Sequence, residues 1–255
     1  MLWRVGDSGF HLVGSCHVLQ TSDYPISSVL DKAYQDSRLV AFESDMLAPE
    51  VQAFGFSNGK ATLLSVAPEL YEAVEVALAV LGQDISSLPR SKPWHASLRL
   101  GLAIIANEGF TADYGLDLHF CRRAYDDSKS VSFLESPCAA LTCFDSAPVV
   151  AQLALLRYGL ANRGWAVREI HRIIEGWRTS NEEELELVLN ERLHLFPDLF
   201  GCLIPARNLR WLPNVLHLSA QRTPTLLSVG ILHCVGQQGL PALLAERGVV
   251  VSRIQ

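Results

Sequence analysis

Two short stretches carry the residues best suited to chemistry. Phe10 to His17 reads Phe-His-Leu-Val-Gly-Ser-Cys-His, and Leu226 to His233 reads Leu-Leu-Ser-Val-Gly-Ile-Leu-His. Each is an apolar run, then Gly, two residues and His, so the chain holds Gly14-x-x-His17 and Gly230-x-x-His233. Imidazole ligates zinc, manganese, cobalt or nickel, or acts as a general base near neutral pH. Gly14 and Gly230 have a mechanical part, since a side chain at a strand exit blocks close approach. Glu43, directly after Leu39-Val40-Ala41-Phe42, supplies an oxygen ligand or a base. His17, Glu43 and His233 then suffice to hold one divalent cation with positions left for water and substrate. Arg207-Asn208, expected just before an amphipathic helix, brings a guanidinium for a carboxylate or oxyanion and an amide to fix a ligand's orientation. Asp117, His119 and Glu135 are weaker candidates for orienting an imidazole, and surface or capping roles explain them as well. His11, His95, His171, His194 and His217 share no convergent spacing and read as structural.

These residues need a scaffold that brings distant segments together. Trp3 to Val5 and Phe10 to Val13 flank Gly6-Asp7-Ser8-Gly9, which predicts a β-hairpin. An amphipathic helix follows over Ile26 to Asp36, then a strand at Leu39 to Phe42, an order that implies a parallel crossover. Helices are expected over Ala67 to Leu81, from Lys92-Pro93-Trp94 to about Ala106, and from Gly115-Leu116-Asp117. Val131 to Leu134 is strand-like. Pro137 to Leu218 reads as successive helices, with breaks near Ser146-Ala147-Pro148, Asn162-Arg163-Gly164, Thr179-Ser180-Asn181 and Pro197. Ser180 and Glu183 have capping-box spacing. A strand at Leu226, a helix over Leu240 to Arg247 and a strand at Val249-Val250-Val251 close the chain. The expected fold is therefore α/β in a single domain over 1–255. A mixed, mostly parallel sheet comes from about 1–45, 130–135 and 224–255, with a large helical insert between. Ligands of such sheets bind outside the carboxyl ends of the strands, where both histidines and Glu43 fall.

Composition narrows the classes. A net charge of −6 without a basic cluster argues against nucleic acid. No apolar run approaches the roughly 18 residues that cross a bilayer, and the start lacks a signal peptide's pattern, which points to a cytoplasmic protein. The six cysteines show no Cys-x-x-Cys and read as reduced thiols. There is no Gly-x-Ser-x-Gly elbow, phosphate-binding Gly-rich loop or His-Glu-x-x-His.

Taken together, Leu2 to Val5, Val13 to Val18, Ser37 to Asp45, Lys92-Pro93-Trp94, Gly115 to Asp117, Leu134 to Ser136, Ala206 to Asn208 and Thr225 to Gly239 resemble the TraB/GumN family, which includes the Tiki metalloproteases. The resemblance spans nearly the whole chain in order. It implies an α/β core with a helical insert, related to erythromycin esterases and haem-binding ChaN-like proteins. It also implies a site built from His17, Glu43, Arg207, Asn208 and His233, and metal-dependent peptide cleavage with manganese or cobalt. Where many relatives have Thr-Ile or Thr-Ala in the first motif, this chain has Ser15-Cys16. The leading expectation is a metal-dependent hydrolase, a peptidase, acting on a peptide or small molecule with Mn, Co or Zn. The alternatives are a metal-free esterase-like hydrolase with His17 as base and Glu43 orienting it, and a non-catalytic regulator that binds a peptide or haem.

Overall fold

A computed structural model describes residues 1–57, 61–162 and 164–255. Six strands form one sheet: β1 (Leu2–Val5), β2 (Phe10–Ser15), β3 (Leu39–Phe42), β4 (Ser130–Phe133), β5 (Thr225–Gly230) and β6 (Val251–Arg253). Their order is β4-β3-β5-β2-β1-β6. The pairs β4·β3, β3·β5 and β5·β2 are parallel, and β2·β1 and β1·β6 are antiparallel. The fold is thus α/β with a mixed, mostly parallel sheet, and the opening hairpin forms as expected.

β5 explains the architecture. Every residue of Thr-Leu-Leu-Ser-Val-Gly is buried, as a central parallel strand covered on both faces requires. Burying Leu226, Leu227 or Val229 contributes about 1.5–3 kcal/mol each. Its two neighbours are β2 and β3, so the strands leading to His17, Glu43 and His233 lie side by side.

Helices fill the rest. Ser28–Asp36 starts two residues later than expected, because Ser27 caps it by accepting from Leu30 N at 3.3 Å. Pro68–Val80, Pro93–Asn107 and Leu116–Asp126 match the expected helices closely. Trp165–Thr179 packs on Glu182–Leu195 and is tied to the sheet where Trp177 Nε1 donates to the Gly14 carbonyl at 2.9 Å. Of the expected break Asn162-Arg163-Gly164, Arg163 lies outside the described residues. No single helix among the described residues is long and apolar enough to cross a membrane; Ala139–Ser146 and Val149–Ala161 pass only as a pair bent by 97°.

Four expectations need correction. The last strand is Val251–Arg253, because Val249 N–H goes to the Leu244 carbonyl in the turn around Gly248, whose φ is +78°. Ser180 does not cap the start of the following helix. It sits left-handed at φ 58° at the end of Trp165–Thr179, and Asn181 caps the next helix by accepting from Glu184 N at 3.1 Å. Arg207 and Asn208 do not precede a helix but are the first two residues of Arg207–Ala220. Finally, the cysteines are not all reduced thiols: Cys143 and Cys202 form a disulfide across 59 residues, where Ala139–Ser146 packs against the turn Cys202–Ala206. Cys16, Cys121, Cys138 and Cys234 are free.

Candidate functional site

The sheet's carboxyl edge opens into a cavity of about 430 Å³. Its walls are largely apolar and come from the insert, including Leu141, Phe144, Ile170, Ile173, Phe200 and Leu203. Its polar groups come from the strand ends, with His17, Glu43, Asp117, Arg207 and His233 among them.

His17 follows β2. The Cys16 carbonyl accepts from Leu116 N at 2.9 Å, which docks the first turn of Leu116–Asp126 on the motif. Asp117, 5% exposed, thereby brings Oδ2 against His17 Nδ1, while its Oδ1 accepts from Leu118 N at 3.0 Å. The Asp117 carboxylate, opposed by burial, pushes the His17 pKa up to about 9. The imidazole side chain is 59% exposed, so solvent screens part of that effect. With Nδ1 taken, Nε2 is the nitrogen turned to the site. A Cβ placed on Gly230 would lie 3.1 Å from His17 Nε2 and 3.3 Å from Glu43 Oε1. Gly230 therefore leaves a gap between these two groups. Gly14 has a packing reason instead, since a Cβ there would meet Ile231 Cδ1 at 2.2 Å.

Glu43 follows β3. Its Oε1 accepts from Gly230 N at 2.6 Å and its Oε2 from Arg207 Nη2 at 2.5 Å. Burial alone would push this carboxyl up. His233, Arg207, His17 and the Gly230 amide outweigh it and hold the group well below the usual carboxylate range. Glu135 is brought beside it where Glu135 N donates to the Glu43 carbonyl at 3.0 Å.

Arg207 enters from below. The turn Cys202–Ala206 is a π-helical segment containing Pro205, and such segments recur at functional sites. Arg207 Nε and Nη2 donate to Glu135 Oε1 at 2.9 and 2.6 Å, Nη2 also to Glu43, and Nη1 to the Leu203 carbonyl and His233 Nε2, both at 3.2 Å. All five guanidinium N–H groups are thus spoken for.

His233 sits one turn beyond β5, in the 3₁₀ segment Ile231–Cys234 rather than at the strand's end. Asn208 donates to the His233 and Gln238 carbonyls at 3.2 and 2.7 Å, which leaves its Oδ1 to accept from His233 Nδ1 at 2.6 Å. The other ring nitrogen accepts from Arg207. Burial, against the pull of Glu43 and with Arg207 nearby, lowers the His233 pKa to about 3 and keeps the ring neutral. Trp211, unremarked in the sequence, donates to Glu135 Oε2 at 2.8 Å and packs its ring 4.5 Å from that of His233. Its spacing of four from Arg207 on one helix face was the available signal.

Of the candidate side chains, Glu43, Glu135, Arg207, Asn208 and His233 share one hydrogen-bonded network, His17 and Asp117 form a separate pair across the gap at Gly230, and His119 packs on Tyr24. The donor types, two imidazoles and a carboxylate, suit a divalent transition metal. Their arrangement does not: Arg207 occupies His233 Nε2 and one Glu43 oxygen, and the Gly230 amide occupies the other. Among the described residues no group of three or more His, Cys, Asp or Glu is arranged to hold a metal ion.

No solved structure matches the chain. An uncharacterized protein of Escherichia coli (strain K12), YbaP, is 22% identical over 239 residues, covering 94% of this chain and 89% of that protein. The family whose model matches, over residues 1–253, is described as TraB/PrgY/gumN, and the chain belongs to it.

Proposed function

We propose that the protein is a hydrolase of peptide or ester bonds in which His17 carries the proton and needs no resident metal to do so. The observation that carries this reading is the His17–Asp117 pair at the mouth of the cavity, with Nε2 directed to the gap at Gly230. In its neutral form Nε2 takes a proton from water as the water oxygen adds to the substrate carbonyl carbon. It returns that proton to the leaving nitrogen or oxygen as the C–N or C–O bond breaks. Asp117 holds the tautomer and steadies the imidazolium that forms. Arg207 and Asn208 act as positioning residues, because their hydrogen bonds are spent on Glu43, Glu135 and His233.

The metal-dependent peptidase is the second reading. The room at Gly230 between His17 Nε2 and Glu43 Oε1 favours it; against it, His233 would have to leave Arg207. The test is turnover of a peptide library and of p-nitrophenyl esters by wild type, His17→Ala and Asp117→Asn, each with and without exhaustive chelation. Activity that survives chelation and is lost in His17→Ala is the expected result. A transition metal bound at one per chain, lost with either histidine and needed for turnover, would replace it with the metallopeptidase. Tight peptide or haem binding without cleavage would indicate the regulatory binder.

A further inference from the structure

A second cavity, of about 210 Å³, shares Ile204 with the first as a lining residue. It lies between the helix Glu182–Leu195, the turn Cys202–Ala206 and the loop that follows His233. Leu193, Pro205 and Val235 give it apolar wall, and Glu186, Asn190, Gln237 and Gln238 give it polar wall. None of these four polar side chains has a hydrogen-bond or ion-pair partner among the described residues.

The sequence places these groups deliberately. Glu186 and Asn190 are four apart and share one helix face. The loop turns where Gly239 N donates to the Gly236 carbonyl at 3.0 Å, and Gly236 has a φ of +73°. A Cβ on Gly236 would lie 3.1 Å from Glu186 Oε1. The carboxylate thus rests against bare loop backbone, and glycine serves both the turn and the close approach.

What the pocket accepts follows from its lining. Glu186 is its one charged lining residue, and the three amide side chains can each turn an oxygen inward. That combination suits a cation with several N–H donors. A guanidinium presents them in one plane and pairs with a carboxylate through two parallel hydrogen bonds, and the apolar wall suits a short alkyl stem. A single carboxylate among apolar side chains falls short of the about six to eight oxygens that calcium takes. The volume is below the roughly 300–1,000 Å³ of sites for drug-sized molecules, so the ligand is small.

We propose that this pocket binds a small alkylguanidinium and that its occupancy is relayed to His233 through Asn208. Gln238 gives its side chain to the pocket and its carbonyl to Asn208 Nδ2 at 2.7 Å. The same amide donates to the His233 carbonyl at 3.2 Å and accepts from His233 Nδ1 at 2.6 Å. A ligand that draws Gln238 toward itself therefore acts on the residue that orients His233.

The test titrates n-butylguanidinium into the isotope-labelled full chain by NMR, beside its neutral isostere n-butylurea and calcium chloride. The guanidinium is expected to saturate the pocket and to bind at least about tenfold more tightly than the urea. Glu186→Gln, which keeps the shape and the helix propensity, should weaken it about tenfold, the worth of one hydrogen bond to a charged group. The Asn208 side-chain amide resonances should shift in step with binding in wild type. Equal binding of the urea, an unchanged affinity in Glu186→Gln, or competition by calcium would overturn the pocket. Saturation with the Asn208 amide unmoved would overturn the relay.

Discussion

Arg207→Met is the most severe test of how this site is built. The side chain is 4% exposed and its carboxylate partners Glu43 and Glu135 are 12% and 10% exposed, so solvent screens these pairs weakly. Methionine keeps most of the volume and removes the charge, leaving two near-buried carboxylates without their cation. Breaking one buried pair from one side costs about 3–5 kcal/mol, a large share of the roughly 5–15 kcal/mol that holds a domain together. Urea denaturation at pH 7 should therefore show a loss of at least about 3 kcal/mol. Adding Glu135→Gln should return part of it, because one stranded charge is gone; a double-mutant cycle reads that coupling. The pH dependence has a definite sign. In wild type the Glu43 pKa is depressed, so its stabilisation is present above the ordinary value of 4.5 and is lost as pH falls through the folded value. In Arg207→Met the guanidinium no longer lowers that pKa, so it rises, and the two proteins should converge in stability as pH falls from the variant's Glu43 pKa to the lower wild-type value. A variant within about 1 kcal/mol of wild type at pH 7 would refute the charge hub.

Three further outcomes follow from the geometry. Because Asp117 raises the His17 pKa to about 9 and the neutral ring is the base, kcat/KM should climb with pH between 6.5 and 9. In Asp117→Asn that limb should move toward 6.5 with a loss of about 10²–10⁴ in rate; a flat or falling profile in wild type would remove His17 as the base. Gly230→Ala should fold, because the Cβ meets side-chain ends at 3.1 and 3.3 Å, yet lose most turnover by closing the gap between His17 and Glu43; wild-type kcat/KM would show the gap is unused. Alkylation of unfolded, unreduced protein should label four of the six cysteines, and labelling of all six would deny the Cys143–Cys202 bond.

Much of this architecture was legible because period and punctuation report local physics. β5 announces itself as an unbroken apolar run ending in Gly, and the hairpin by its turn. The convergence of His17, Glu43 and His233 was legible one step further, since neighbouring parallel strands must end at one edge. The Cys143–Cys202 pairing was not, because 59 intervening residues say nothing about which helix packs on which turn. Nor were the roles of Arg207 and Asn208. Their types suit a substrate's carboxylate or oxyanion, and only the positions of Glu43, Glu135 and His233 show that their hydrogen bonds are already committed.

Asp117 is the most instructive of the weaker candidates, because the two roles weighed for it were not alternatives. A carboxylate in the first turn of a helix has two oxygens, and satisfying the helix start uses only one. Asp117 Oδ1 takes the Leu118 amide and Oδ2 the His17 ring. The capping role fixes the carboxylate's direction, and that direction is what orients the imidazole. Sequence reasoning that assigns one role per residue discounts such a group. Glu135 repeats the pattern with Arg207 on one oxygen and Trp211 on the other. In both cases the second oxygen is what joins a local structural contact to the chemistry of the site. A strand-end or helix-start carboxylate beside a candidate histidine or arginine is therefore best read as serving both, and the substitution that separates the roles is the amide. Asp117→Asn can still accept from Leu118 N through its one oxygen, while the imidazolium loses its counter-charge. Helix stability should then hold while the His17 titration moves.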